Sequence, residues 1–549
     1  MLKKIFSSTL AVFIILLSFS PAFSLAEKNP LTIAESSNFT ATSRYSDVME
    51  FIKEVQKQSS LIRVETLCVS SEGRKVPLVI IGNPAPSSTL NLKHDKRAVI
   101  YFQANIHAGE VEGKEATLIL MRDIIQKETP SYLDKLVILL APIFNPDGNE
   151  KISPEHRRNQ IGPEKGVGVR YNGQMLDLNR DSIKLESPEL RGLVRNVLMR
   201  WDPILLVDCH TTNGSYHEEP VTYSWPLNPN GDTSIISYMR DKMMPSIAKN
   251  LKEKYSTFSI PYGNFMDYKN PEKGWSTFGY QARYVVNYVG LRNRLSILDE
   301  NYAYADYKTR VQSCYNFLRS ILDYCYEHKE EIQELVKKAD QKTIQRGLNL
   351  SSSDYFAVEF EQKPQKDPIS IKGWEMQIIP REKGWPRIKK TDKKRTYTLP
   401  YFCNFIPKRT VSFPYGYLIP IHDDTIIEKL LQHGIIIEQL TESTTLEVEA
   451  FKVKELKSSP IPYQGHHLNS IKGEYLIEKK EFPAGTLFVC TSQPLANLAA
   501  FLLEAENDDG LLAWNFFDRY LISQWGRELQ IYPVYRVLTP VNFAKETLR

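Results

Sequence analysis

Two histidines and two glutamates in this chain stand where apolar runs end. The stretch 99–110 is β-branched and aromatic, stops at His107-Ala-Gly-Glu110, and gives way to a helical pattern from Val111 to about Gln126. A neutral imidazole and a carboxylate three residues apart on one turn can hold the same zinc ion. The pattern is common by chance, and alone it describes a solvated loop as well as a metal site. Two later runs change that balance. Residues 203–209 form an apolar run that ends in His210, and 295–298 form another that ends in Asp299-Glu300. Two histidines and one glutamate complete a catalytic zinc site with an open position for water, and a fourth residue, the second acid, supplies the general base such a site needs. His210 could instead cap its strand, and Glu300 could pair with Arg292 or Arg294. Strands of an open α/β sheet that all end in such residues nevertheless bring them to one carboxyl edge, where sites are built.

The elements that position these residues follow from periodicity. Residues 42–58 predict a helix, with Tyr45, Val48, Met49, Phe51, Ile52 and Val55 along one side. Strands are expected over 61–69 and 76–81, around the turn 71–74. A buried strand over 136–144 ends in the turn Asn145-Pro-Asp-Gly148. A long irregular segment, rich in Gly and Arg, runs from Glu150 to Asp177, and loops of that length are often functional. Helix signals return over 187–199, and one long amphipathic helix over 307–338 closes the domain.

At 549 residues and 42% hydrophobic, the chain can build large cores and two domains. A formal net charge of +4 is not that of a nucleic-acid binder, and the basic run 387–395 reads as a solvated loop. Residues 1–26 carry the marks of a secretory signal: Lys3 and Lys4, an apolar core over 10–19, and Ser24-Leu-Ala26 before a cleavage point at Glu27. That core is short against the ~20 residues of a bilayer span, so cleavage and a secreted or periplasmic protein, with no stable membrane insertion, are expected. The six cysteines, Cys68, Cys209, Cys314, Cys325, Cys403 and Cys490, are too sparse for a disulfide scaffold. Cys209 reads as a small core residue, Cys314 and Cys325 lie too far apart on one helix to bond each other, and one or two other bridges stay open.

In the order HxxE, NPDG, DxNR, H and E, the segments His107-Ala-Gly-Glu110, Asn145-Pro-Asp-Gly148, Asp177-Leu-Asn-Arg180, His210 and Glu300 resemble the zinc metallocarboxypeptidase family over roughly residues 40–340. The resemblance implies a mixed, mostly parallel central sheet flanked by helices. It implies one zinc per chain on His107, Glu110 and His210, with Asp177 orienting the first histidine. It implies Asn179 and Arg180 on the substrate's terminal carboxylate, Arg157 on the oxyanion, with Arg158 one residue away, and Glu300 as general base. The substrate is then a peptide or peptide-like molecule with a free carboxylate. Gly109 departs from digestive members, which carry an arginine there, and Thr212 stands where they have a tyrosine. Tyr280 and Tyr284 compete for the family's mobile tyrosine. Arg283 could line the specificity pocket and favour an acidic terminal residue, though a surface position is the plainer expectation. Three functions stay open: a carboxypeptidase, a cell-wall peptide amidase or N-acyl amino acid deacylase using the same site, and a non-catalytic binding protein.

With 1–26 removed, residues 27–345 are expected to form the catalytic domain and 346–549 a smaller mixed α/β accessory domain. Its signals are a strand over 355–360, a β-α-β pattern over 416–438 and a helix over 492–503. The aromatic segment 508–517 is suited to packing on the catalytic domain. His466 and His467 read as loop residues.

Overall fold

The computed structural model describes residues 29–87, 95–127, 131–212, 215–381, 387–521 and 531–548. The expected signal over 1–26 lies outside them. Among the described residues, ten strands precede residue 303: β1 (Ile62–Val69), β2 (Lys75–Ile81), β3 (Ala98–Ala104), β4 (Leu136–Ala141), β5 (Leu205–Thr212), β6 (Val221–Ser224), β7 (Ser259–Pro261), β8 (Asn264–Phe265), β9 (Trp275–Ser276) and β10 (Leu295–Tyr302). Eight of them form the central sheet, in the order β1-β2-β4-β3-β5-β10-β6-β7. The middle strands β4, β3, β5 and β10 run parallel, and antiparallel pairings join β2 to β4 and β6 to β10. The expected mixed, mostly parallel sheet is present.

Both faces of that sheet are covered, which is why its strands read as unbroken apolar runs rather than as alternation. In β3, Ile100 and Phe102 join the core beneath the helices Tyr45–Lys57, Glu112–Ile125 and Tyr307–Glu327. Val99 and Tyr101 join the opposite core, with the helix Val285–Leu291 and much of the C-terminal part. The helix Glu112–Ile125 is tied from below through a buried carboxylate. Glu115 accepts hydrogen bonds from Thr42 Oγ1, Ser43 N and Ser43 Oγ at 2.8, 2.7 and 2.9 Å.

Several local expectations give way to longer-range forces. Asn145-Pro-Asp-Gly148 opens a short helix, Pro146–Glu150, in which Asn145 caps by accepting from Gly148 N; a capping Asn followed by Pro favours a helix start as readily as a turn. The helix after Ser187 changes at Leu193 into a π-helical segment, Leu193–Leu198. The expected single helix over 307–338 is two, Tyr307–Glu327 and Lys329–Leu348, broken at His328. His210 and Glu300 lie inside β5 and β10, not after them, because pairing between neighbouring strands carries both past their apolar runs. The basic run 387–395 is not a loop: it belongs to the strand Arg387–Leu399, paired in an exposed hairpin with Ile369–Ile379.

The C-terminal part holds a seven-stranded sheet. The expected β-α-β pattern is split: Gly416–Ile419 and Glu438–Leu440, rather than 434–438, both pair antiparallel with Leu487–Cys490 between them, joined by the helix Asp424–Gln432. The helix expected over 492–503 spans Ala496–Leu503. Strand Tyr401–Ser412 pairs with β9, so elements from both sides of residue 345 share one sheet. All six cysteines are free thiols.

Gly113 sits where the helix Glu112–Ile125 crosses the sheet. A Cβ there would meet Cys209 Cβ at 2.5 Å and Ala104 Cβ at 3.1 Å. Gly to Ala in a helix ordinarily gains about 1 kcal/mol, but forced overpacking costs about 1–3 kcal/mol. Gly113→Ala is therefore expected to shift chemical unfolding to lower denaturant, where propensity alone would raise it.

Candidate active site

Three elements deliver the site. Beyond β3 the chain turns through Asn105, which has φ 66° and whose Nδ2 donates to the carbonyls of Ala108 and Glu110 at 3.1 Å each. This pins the loop so that His107 and Glu110 face the same way. β5 supplies His210 and β10 supplies Glu300, and the parallel register sets Glu300 directly beside His210. Because side chains alternate along a strand, Asp208 shares the face of His210, two residues on.

The two imidazoles are held from behind. His107 Nε2 lies 3.0 Å from Asp177 Oδ1, and His210 Nε2 lies 2.8 Å from Asp208 Oδ2. Each carboxylate is itself fixed, Asp177 by Arg170 Nε at 2.8 Å and Asp208 by Gln103 Nε2 at 3.0 Å. With Nε2–H given to a carboxylate, each Nδ1 presents a lone pair inward. The two Nδ1 atoms are 3.2 Å apart, and Glu110 sets one oxygen 3.1 Å from His107 Nδ1 and the other 2.9 Å from His210 Nδ1. Two lone pairs and a carboxylate in this buried space repel unless a cation joins them, and this donor set suits zinc. The electrostatics agree. Burial works against a charge on His210, yet Asp208 and Glu110 hold its imidazolium well above the usual range. Burial would raise Glu110, and the charges of His107 and Arg157 outweigh it and hold the carboxyl well below the usual range. Surroundings that favour a proton between these groups favour a divalent cation in its place.

A cavity of about 230 Å³ opens on this cluster. Glu300 lines it, with Oε2 buried and without a hydrogen-bond partner among the described residues; burial raises its carboxyl above the usual range. Arg157 lines it as well, donating to Glu110 Oε1 and to the Thr211 carbonyl, both at 2.9 Å. Arg158 points outward to Glu155, so of the two adjacent arginines Arg157 is the one at the cavity. Gly109 makes room for it, since a Cβ there would meet Arg157 Cδ at 2.6 Å. Asn179 and Arg180 form a further wall. Tyr284, not Tyr280, reaches the cavity: the Arg180 guanidinium lies 4.5 Å above its ring, whereas Tyr280 bonds Asp508 at 2.7 Å. Arg283 is neither in the cavity nor on the surface, but largely buried in an ion pair with Asp509 at 2.8 Å. The segment 508–517 does pack on the catalytic part, as expected.

Sequence reasoning missed Asp208 and Arg170 as site residues. Asp208 carried a usable signal, its two-residue spacing from His210 on a strand. Arg170 lay in the irregular segment, where spacing says nothing about direction.

The described residues contain a second group of metal-type donors, Cys209, Asp299 and Cys314. Register pairs Asp299 with Cys209 and Glu300 with His210, so this group lies on the opposite face of the sheet. Cys314 Sγ donates to Asp299 Oδ2 at 3.2 Å, inside the core.

Fold and site together define a metallohydrolase with basic side chains around its reaction centre. Residues 48–216 match the model of the zinc carboxypeptidase family (Peptidase_M14). These residues form a zinc carboxypeptidase domain, and the chain is a hydrolase of the metallocarboxypeptidase class, with zinc as its metal. "Carboxypeptidase 2" of Trichophyton rubrum is 23% identical over 530 residues, covering 92% of this chain and 90% of that protein. The protein of the same name from Trichophyton tonsurans is 23% identical over 487 residues, 85% and 81% of the two chains. Among solved structures, carboxypeptidase A from Helicoverpa armigera covers 55% of this chain and 74% of its own at 16% identity, with a TM-score of 0.38. A metallo-carboxypeptidase from Burkholderia cenocepacia covers 51% and 68% at 16% identity, also with a TM-score of 0.38.

Proposed function

We propose that the chain removes the C-terminal residue from peptides that end in a free carboxylate. The observation that carries this reading is the placement of Asn179 and Arg180 on the cavity that also holds His107, Glu110, His210 and Glu300. A fixed guanidinium on the wall of the same cavity suits a carboxylate one residue beyond the scissile bond. In this reading His107, Glu110 and His210 hold one zinc per chain. Zinc, when bound, supplies a Lewis acid and brings the pKa of a water down to about 7. Glu300 takes the attacking water's proton on Oε2 and returns it to the leaving amine nitrogen. Arg157 donates N–H to the carbonyl oxygen as it gains charge. Asp177 and Asp208 keep both imidazoles turned inward. Tyr262, Phe278, Tyr284, Val286 and Leu298 make much of the remaining wall, which suits an apolar or aromatic terminal side chain. The sequence of residues 1–26 supports action outside the cytoplasm.

Two substitutions test the roles. Glu300→Gln is expected to keep the fold and the zinc while kcat falls by about 10²–10⁴-fold, the range of general acid–base catalysis. Asp299→Asn, on the other face of the sheet, is expected to leave turnover near normal. The reverse result would move the base by one residue.

The substrate's end is tested with matched peptides. Losing one partner of a buried charged pair costs about 2–5 kcal/mol. Amidating the peptide C-terminus, or Arg180→Ala, is thus expected to lower kcat/KM by about 30-fold to several thousand-fold. Arg180→Ala should do little further harm on the amidated peptide. Equal harm on both peptides, or faster hydrolysis of cell-wall stem peptides or N-acyl amino acids, would overturn the carboxypeptidase reading.

A further inference from the structure

The C-terminal part sends one tight turn into the active site. The long hairpin of Thr444–Ser458 and Asn469–Phe482 continues into a connecting segment whose tip is Tyr463-Gln464-Gly465-His466. Tyr463 N donates to the His466 carbonyl at 2.7 Å and His466 N to the Tyr463 carbonyl at 3.1 Å. Both central residues have positive φ, 52° at Gln464 and 81° at Gly465, which is the primed turn that tight hairpins favour. Gly465 takes that conformation freely. Gln464 does not: a left-handed backbone at a residue with a side chain is strained and persists only where its surroundings fix it.

What fixes it is the catalytic part. Gln464 Oε1 accepts from the backbone N–H of Asp177 at 2.8 Å, and Tyr463 Oη accepts from Arg180 Nε at 2.9 Å. The turn therefore grips both ends of the segment that holds His107 at one end and presents Arg180 at the other. Around Arg180 the hold is nearly complete. Its Nη1 donates to the Asn179 carbonyl at 2.7 Å and its face lies on Tyr284. Nη2 is left without a partner among the described residues. The turn is anchored in turn. The Tyr463 ring stacks on Trp514 with centroids 6.1 Å apart, the Arg283 guanidinium lies 5.4 Å from the Tyr463 ring, and His466 bonds Glu186 at 2.8 Å.

We infer that the tip of the C-terminal hairpin is part of the active site: Tyr463 and Gln464 are positioning residues that set the Asp177–Arg180 segment and so the grip on the substrate's terminal carboxylate. A guanidinium on a flexible stem loses less freedom on binding when one nitrogen and one face are already held, so the hold acts on affinity for the free acid rather than on the chemical step. The inference rests on the carboxylate-reading role proposed for Arg180.

The test uses the full chain, with zinc, and a peptide pair that differs only in a free or amidated C-terminus. Tyr463→Phe keeps the stacked ring and removes the oxygen. KM for the free-acid peptide is expected to rise about ten-fold, the ~1.4 kcal/mol of one charge-assisted hydrogen bond, with kcat unchanged and the amidated peptide unaffected. An unchanged KM overturns the inference, as does equal loss on both peptides together with a lower unfolding temperature, the mark of a purely structural role. If Tyr463→Phe does not fold, Gln464→Ala replaces it and is read as the ratio of kcat/KM between the free-acid and the amidated peptide, since any effect through His107 acts on both: a lowered ratio supports the inference and an unchanged ratio overturns it. Arg180→Ala separates the two layers. If it abolishes the preference for the free acid while Tyr463→Phe does nothing, the inference falls and the proposed function stands. If the preference survives Arg180→Ala, both fall.

Discussion

Two imidazole nitrogens, His107 Nδ1 and His210 Nδ1, sit 3.2 Å apart beside both oxygens of Glu110, in a space that water hardly reaches. Nothing in the rest of the structure makes sense of that arrangement except a cation. The protein holds the unfavourable geometry by spending two further carboxylates, Asp177 and Asp208, on the outer nitrogens. Those carboxylates recruit Arg170 and Gln103, so the constraint spreads into the irregular segment after Glu150 and into the carboxyl end of β3. A site built this way is preorganised: ligand direction is fixed before any metal arrives.

The second constraint is register. Parallel pairing of β5 with β10 puts Glu300 beside His210 and Asp299 beside Cys209. A slip of one residue would send Glu300 into the core and bring Asp299 to the cavity, because side chains alternate in direction. Pairing of β10 with β6 on its other side, Glu300 opposite Thr222, fixes that register from a second direction. The geometry proposed for catalysis is therefore a property of the sheet more than of the loops around it.

The sequence made His107, Glu110, His210 and Glu300 visible because each follows an apolar run that only a buried strand explains. It misjudged where β5 and β10 stop, since residues 210–212 and 299–302 stay in the sheet through hydrogen bonding that local hydrophobicity does not report. The break at His328 carries neither Pro nor Gly, and the π-helical segment 193–198 keeps an ordinary helical pattern, so neither left a mark in the sequence. The accessory region was legible as strands and helices but not as a contributor to the site. The contacts of Tyr463 and Gln464 with Arg180 and Asp177 join residues more than 280 positions apart, and no local pattern encodes them. Arg157 and Arg158 differ only in direction, which adjacent identical residues do not report: Arg158 turns out to Glu155, and Arg157 turns in to Glu110 and the Thr211 carbonyl.

The central claim is the ligand set, and X-ray absorption at the zinc edge of the purified chain tests it most directly. The account predicts a first shell of nitrogen and oxygen only, near 2.0–2.2 Å, with two imidazoles in the native chain and one in His210→Ala. Sulfur at about 2.3 Å would place the metal instead at Cys209, Asp299 and Cys314, on the wrong face of the sheet, and would contradict the account.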